Sequence, residues 1–365
     1  METYTIKPGD SLAKIALKLF GDANKWRELA DLNGIADPGK IKVGQVLNLI
    51  PKKPATNGMQ DAEITTEGNK IFYRFKNTSD KIFLGNLFRL GISRIGSFNT
   101  ERFIADNALL LAGLKLSSSE INTLLATSQN EGNLDSINTW DNCYLSWGMF
   151  QWTMGPLGNP GELAALLKVI KEKQPAAFQS FFGDFGIDIA PVTGTKTGYL
   201  LLNNVIQNTD ARKKAFRNNN WALRFALAGK EPAICAAQVL HAINRFNNFY
   251  FVGDPAFGGF SINDMLSSEY AASLLLDQHV NRPGHVKDVV SSALKQAGIT
   301  PQQMAHGSDG DELKVINKYL AIRKDFGKSP MTNSDTRAKV VKNFLDKGLI
   351  SAKKKSFISN RGLRQ

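Results

Sequence analysis

The chain has 365 residues, a formal net charge of +12, 42% hydrophobic residues and 21% charged residues. That length exceeds one small domain, and that composition excludes broad disorder and provides for a packed core. A sequence pI near 9.5 favours anionic partners, whether nucleic acid, an acidic membrane or an acidic wall polymer.

In chain order, Thr3 to Ile6 reads as a short strand, and Lys7-Pro8-Gly9-Asp10 is turn chemistry with Asp10 or Ser11 able to cap a helix. Leu12, Ile15, Ala16 and Leu19 then recur on one helical face, and Gly21-Asp22 stops that helix. Trp26, Leu29 and Ala30 mark a second helix ending near Asn33-Gly34, and Val46 to Ile50 reads as a closing strand before Pro51. With PGDSL, IA, FGD, Asn33-Gly34-Ile35 and GQVLNLIP in order, residues 3–51 resemble a LysM domain. The resemblance implies binding of N-acetylglucosamine-containing glycans between two loops, here Gly9, Asp10, Ser11 and Leu12, and Asn33, Gly34, Ile35 and Lys40. Read without the resemblance, Gly9 and Asp10 make a turn and a cap.

Residues 52–65 read as a linker, since the stretch from Pro51 holds two prolines and no hydrophobic period. Residues 70–76 and 81–84 suit a hairpin across Asn77-Thr78-Ser79-Asp80. Helical periodicity then dominates, near 102–114, 118–131, 161–173, 210–228, 232–246, 265–280, 284–297, 310–324 and 335–347. The expectation is an α+β chain. A βααβ module covers 1–51, and a mainly helical domain covers 66–300 with a short β-region near 132–160. A basic helical extension covers 301–365, and its basic run from Lys339 to Arg364 reads as a solvated, partly flexible tail.

Ser117 and Glu120 have capping-box spacing, Ile121, Leu124, Leu125 and Ser128 share one face, and Glu131 continues it before Gly132. Partial burial and the negative helix C-terminus both favour a protonated side chain there, which glycosidic cleavage requires of its acid. The following loop concentrates Trp140, Tyr144, Trp147, Phe150 and Trp152 with Asn133, Asn138, Asn142 and Gln151, groups that stack on pyranose faces and hydrogen-bond their substituents. This stretch resembles the catalytic region of the lysozyme superfamily, especially goose-type lysozymes and lytic transglycosylases. The resemblance implies Glu131 as general acid, Gly148-Met149-Phe150-Gln151 as the family signature, and Ser146 as the serine before it. Gly132 and the inserted Trp147 depart from the pattern. Trp140, Tyr144, Ser146, Trp147, Gln151 and Trp152 are the expected substrate contacts. Asp141, ahead of Asp135, is the candidate second carboxylate that an inverting hydrolase needs and a transglycosylase does not. Asp277, His279, Asn281 and Arg282 end a helix before Pro283-Gly284, either as a cap or as a further cleft wall. Trp221, Arg224 and Phe225 read as core with a snorkelling arginine.

The expected function is a peptidoglycan-degrading glycosidase, muramidase or lytic transglycosylase, targeted by LysM to MurNAc-GlcNAc strands. A cysteine amidase would draw on Cys143 with His241 or His279. A non-catalytic wall-binding protein would need only the first module. A zinc peptidase would need His241, His279, His285 and His306, whose spacing is irregular. Cys143 and Cys235 allow at most one bridge, and no CxxC or HExxH pattern occurs, so no metal or other cofactor is expected. No nucleic acid partner and no membrane span are expected, since no segment reaches about 18 uninterrupted apolar residues. The first ten residues lack the apolar run of a signal peptide. The expectation is therefore synthesis in the cytoplasm and action on the wall, after phage-type release or specialised secretion. The second route would bring an immunity protein or a secretion-system component as partner.

Overall fold

A computed structural model of the chain describes residues 3–20, 23–49, 62–76 and 78–361. The Gly21-Asp22 helix stop, Ile50 and most of the expected linker lie outside these residues. The chain divides into two units, Met1–Lys115 with Asn133–Leu240, and Leu116–Gly132 with His241–Gln365. This grouping cuts across the expected 66–300 and 301–365 segments.

The first unit begins with β1 (Thr3–Thr5), helices Leu12–Phe20 and Trp26–Leu32, and β2 (Val46–Asn48), which pairs antiparallel with β1. Tyr4, Ile6, Leu12, Ile15, Leu29 and Leu47 form its core, the apolar positions of the expected helical and strand patterns. Gly9 turns the chain into the first helix at φ 81°, a conformation that suits glycine.

An antiparallel sheet follows in strict sequence order. Its strands are β3 (Ala62–Glu67), β4 (Lys70–Phe75), β5 (Ile82–Phe88), β6 (Gly91–Arg94), β7 (Ile137–Asn138), β8 (Ser146–Trp147) and β9 (Trp152–Thr153). The anticipated hairpin is β4–β5, with Tyr73 opposite Ile82. β3 runs through 62–65, where a linker was expected. As an edge strand with mostly exposed side chains it lacks the apolar alternation that announces a half-buried strand. The polar loop after Glu131 contributes the last three strands, so the β-region is larger than expected. Helices Glu162–Lys173, Pro175–Phe181 and Asn219–Ala228 and a small sheet of β10 (Ile187–Ile189), β11 (Leu200–Leu202) and β12 (Val205–Ile206) also belong to this unit. Trp147, Phe182 and Phe225 meet at its centre, with ring centroids 5.0–6.0 Å apart.

The second unit is helical. Glu269–Asn281 is buried from Tyr270 through Gln278 and packs against Ser118–Ser128, Val286–Ala297 and Ser334–Asp346. The Ser117–Glu120 capping box forms as expected, with Glu120 N–H donating to Ser117 Oγ at 2.9 Å and Ser117 N–H to the Glu120 carboxylate at 2.8 Å. Ser261 with Asp264, Thr300 with Gln303 and Ser308 with Asp311 make further boxes. The basic C-terminal stretch is integrated here, because Val315, Ile316, Tyr319, Val341 and Phe357 are buried. Lys314, Lys318, Lys339 and Lys342 are exposed, and so are Leu313, Leu349 and Ile358. No helix among the described residues is long and apolar enough to cross a membrane.

Candidate active-site carboxylate and glycan-binding surfaces

Glu131 lies beyond the helix that leads to it. The helix ends at Ser128 with Gln129 as C-cap, and the next two turns tighten, Asn130 N–H bonding Thr127 O and Glu131 N–H bonding Ser128 O. The helix expected to reach residue 131 therefore ends three residues earlier, a result of the shift to i−3 bonding at the helix end. The side chain remains enclosed, at 12% exposure.

Its partners come from distant sequence. Oε1 accepts hydrogen bonds from Arg337 Nη2 and from Asn281 Nδ2, the latter at 3.2 Å. Arg337 is itself anchored. Its Nε and Nη2 reach Asp277 Oδ1 at 2.9 and 2.6 Å, and Nη1 reaches Asn130 O at 2.9 Å. Asp277 is fully buried and also takes Arg323 Nη1 at 3.3 Å and Asn130 Nδ2 at 3.3 Å. Two carboxylates thus share one guanidinium, with a second on the far side of Asp277. Oε2 of Glu131 has no protein donor among the described residues. Burial pushes the Glu131 carboxyl above the usual carboxylate range, while the nearby Arg337 charge pulls it down and falls short of offsetting burial. One carboxyl oxygen is thus fixed, and the other accepts no protein hydrogen bond among the described residues.

Asn281 and Asp277 belong to the helix end that the sequence offered either as a cap or as a wall. Both take part in this network. Arg282 is the C-cap of that helix and donates to Ser329 O at 2.8 Å, and His279 stacks on Phe249 with centroids 4.1 Å apart. Arg337 is the functional neighbour that sequence reasoning missed. It is 206 positions from Glu131, within a lysine-rich helix where one more cation carries no signal.

The aromatic loop belongs to the first unit and has two kinds of residue. Trp147 is 0% exposed and Trp152 1%, so the stacking role expected of them is corrected to core packing. Ser146 is also buried, in β8, and cannot reach a ligand from there. Gln151, at φ 49°, donates to Gly148 O at 3.1 Å, which closes the turn between β8 and β9. Trp140 is 42% exposed and stacks on Phe88 at 5.2 Å. Tyr144, at φ 66°, is mostly enclosed, and its hydroxyl donates to Asp210. Asp141 has both carboxylate oxygens engaged locally, by Asn138 Nδ2 at 3.0 Å and Cys143 N–H at 2.8 Å. Asp135 is fully buried, accepting from the N–H groups of Ser97 and Phe98 and from Arg94, an arrangement that fixes the β6 exit. Burial and the neighbouring Asp141 push the Cys143 thiol up, the opposite of what a nucleophilic thiolate requires.

In the N-terminal module, Asp10 accepts from Lys7 N–H at 2.8 Å and Tyr4 Oη at 2.9 Å. The Lys7 bond above all holds its carboxyl below the usual range. Ser11 caps the first helix through Lys14 N–H, and Leu12 is buried, leaving its backbone alone to face a ligand. Asn33 bonds Leu29 O and both backbone groups of Asn48, tying the second loop to β2. Gly9, Gly34 and Lys40 are exposed, and Ile35 is half-buried. Turn, cap and open loop thus coexist.

Strand–helix–helix–strand order with these two loops defines a LysM domain, and residues 4–49 match that family. The chain therefore carries a peptidoglycan- or carbohydrate-binding module on an α+β body. Two esterases of Mycobacterium tuberculosis, from different strains, are each 35% identical over 77 residues, 21% of this chain and 17% of theirs. An uncharacterized protein of Deinococcus radiodurans is 46% identical over 46 residues, 13% of this chain and 18% of its own. The chain spans less than a fifth of each relative, and the esterases match it only in the short LysM region.

Proposed function

We propose that this chain is a peptidoglycan-degrading glycosidase in which Glu131 is the general acid and the LysM domain supplies targeting. The observation that carries the reading is the enclosed Glu131 carboxyl, raised by burial, with Oε1 anchored and Oε2 without a protein donor among the described residues. At the start of the reaction the proton sits on Oε2 and passes to the glycosidic oxygen as the C–O bond breaks, while the anomeric carbon bonds to water or, in transglycosylation, to the substrate's own hydroxyl. The carboxylate left behind is received by Arg337 and Asn281, donors already in place before charge develops. Arg337 is held by Asp277 and Asn130, so little reorganisation accompanies the transfer. The LysM domain raises the local glycan concentration, and the +12 charge favours an anionic wall.

Zymography in peptidoglycan gels with full-length protein tests the reading. Glu131→Gln is expected to reduce lysis by about 10²–10⁴-fold, the usual contribution of a general acid, with wall binding retained. Cys143→Ser is expected to lyse like wild type. A fully lytic Glu131→Gln together with an inactive Cys143→Ser would replace this reading with the amidase.

A further inference from the structure

Within the second unit, the row of charges behind Glu131 continues past Arg337 to one more residue. Arg323 ends the helix Asp309–Arg323 and is 1% exposed, an uncommon place for a guanidinium. Its Nη1 reaches Asp277 Oδ2 at 3.3 Å and Leu274 O at 3.3 Å, and its Nη2 reaches Ser334 O at 2.9 Å. None of these partners is Glu131. The order is Glu131, Arg337, Asp277, Arg323, alternating in sign. The two oxygens of Asp277 divide between the guanidiniums, Oδ1 taking Arg337 at 2.9 and 2.6 Å and Oδ2 taking Arg323. Asp277 is 0% exposed and bound on both oxygens, so it touches no substrate and activates no water. Its charge has to be balanced from within the protein.

That balance decides what Arg337 can give to Glu131. Burial is the first cause that favours protonated Glu131, Asp277 adds to it as a like charge, and Arg337 opposes both. With Arg323 in place, Asp277 has a cation of its own. Ionised Glu131 then completes two opposite pairs, and protonated Glu131 leaves one positive charge in excess. Without Arg323 the sum reverses, since ionised Glu131 would leave one negative charge in excess and protonated Glu131 none.

The other titratable groups nearby do not share this task. Tyr319 donates to Leu274 O at 3.4 Å, and Tyr270 feels the Arg323 charge. Burial pushes both phenols above their ordinary range, so both stay neutral while a carboxyl titrates. His279 lays its ring on Phe249, and its Nδ1 faces Arg245 Nη1 at 3.3 Å. Glu120, at the other end of Ser118–Ser128, holds Ser117 N–H and Ser359 Oγ. Lys324, Asp325, Asp335 and Lys339 are exposed, where water and salt screen them.

We propose that Arg323 is a positioning residue of this site, which acts through Asp277 to leave the Arg337 charge to Glu131 and so sets the pH at which the acid gives up its proton. Its two backbone acceptors, Leu274 O and Ser334 O, fix the guanidinium against Oδ2, and Oδ1 is thereby turned to Arg337. The inference rests on reading Glu131 as the general acid, and it adds a side chain that meets neither substrate nor Glu131.

The test uses full-length protein carrying carbon-13 at its glutamate carboxyls. NMR follows the Glu131 signal, the one missing from Glu131→Gln, against pH. Arg323→Met is expected to move its titration up by about one pH unit, and Asp277→Asn to move it down by about as much. Arg323→Lys keeps the charge and is expected to restore the wild-type titration. Opposite signs mark a charge effect, since loosened packing would move both variants the same way. Asp277→Asn/Arg323→Met leaves no unpaired charge at residue 277, so it carries the same comparison if Arg323→Met does not fold. It is expected to bring the lowered Asp277→Asn titration back toward wild type. An unmoved titration in Arg323→Met, a shift of the same sign in Arg323→Met and Asp277→Asn, or no return in the double variant would overturn the inference. The alkaline limb of lysis is expected to follow the titration, up in Arg323→Met and down in Asp277→Asn. If Glu131→Gln stays lytic the glycosidase reading fails, while the carboxyl titration still decides the role of Arg323.

Discussion

Replacing Arg337 by alanine removes the guanidinium that links Glu131, Asp277 and the Asn130 carbonyl. Asp277 is fully buried and Glu131 is 12% exposed, so solvent cannot replace the lost donors without opening the unit. Asp277 would retain Arg323 and Asn130, and Glu131 would retain Asn281 alone. Removing one partner of a buried ion pair costs about 3–5 kcal/mol, a large share of the roughly 5–15 kcal/mol that holds a domain together. Arg337→Lys keeps the charge but cannot span all three acceptors, and is expected to lose about 1–3 kcal/mol. Denaturant unfolding of wild type and both variants gives these differences directly. The same change acts on Glu131. Arg337 holds its carboxyl down against burial, so Arg337→Gln is expected to move the alkaline limb of lytic activity to higher pH. An Arg337→Ala protein within about 0.5 kcal/mol of wild type, as for an ordinary surface change, would refute the reasoning. So would an alkaline limb that shifts downward in Arg337→Gln.

Other outcomes follow from the same geometry. Because the Glu131 carboxyl is raised in the folded protein, its protonation contributes stability that is fully present below about 4.5 and is lost as pH rises through the raised value. Glu131→Gln should therefore gain on wild type in melting temperature between pH 4 and pH 7, and a constant difference would contradict that. Trp147→Ala is expected to destabilise by about 3–5 kcal/mol as a core truncation, whereas Trp140→Ala should stay within about 0.5 kcal/mol, both measured by chemical denaturation. Asn33→Ala leaves the backbone groups of Asn48 unpaired, at a cost of about 1–3 kcal/mol to the LysM domain. Pull-down on insoluble wall should then weaken, while cleavage of soluble glycan fragments continues.

Local pattern was legible where one element buries one face. The LysM helices, the β4–β5 hairpin, the Ser117 capping box and most later helices follow periodicity and caps, and their physics is short-range. β3 was missed because an edge strand with two polar faces leaves no alternation to read. Glu131 stood out through its place after an amphipathic helix, but its chemistry depends on Arg337 and Asn281, which are joined to it only by the fold. The aromatic loop misled in part, since Trp147 and Trp152 sit in short β-strands whose side chains fill the core. A tryptophan that stacks on sugar and one that packs against Phe182 look alike in sequence.

Mass spectrometry of soluble fragments released from purified peptidoglycan by the full-length protein tests the assignment of Glu131 most directly. Wild type is predicted to release disaccharide–peptides cut in the glycan strand, with reducing or anhydro-muramyl ends and stem peptides still attached, and Glu131→Gln to release none. Free stem peptides from uncut strands, or the same glycan fragments from both proteins, would contradict it.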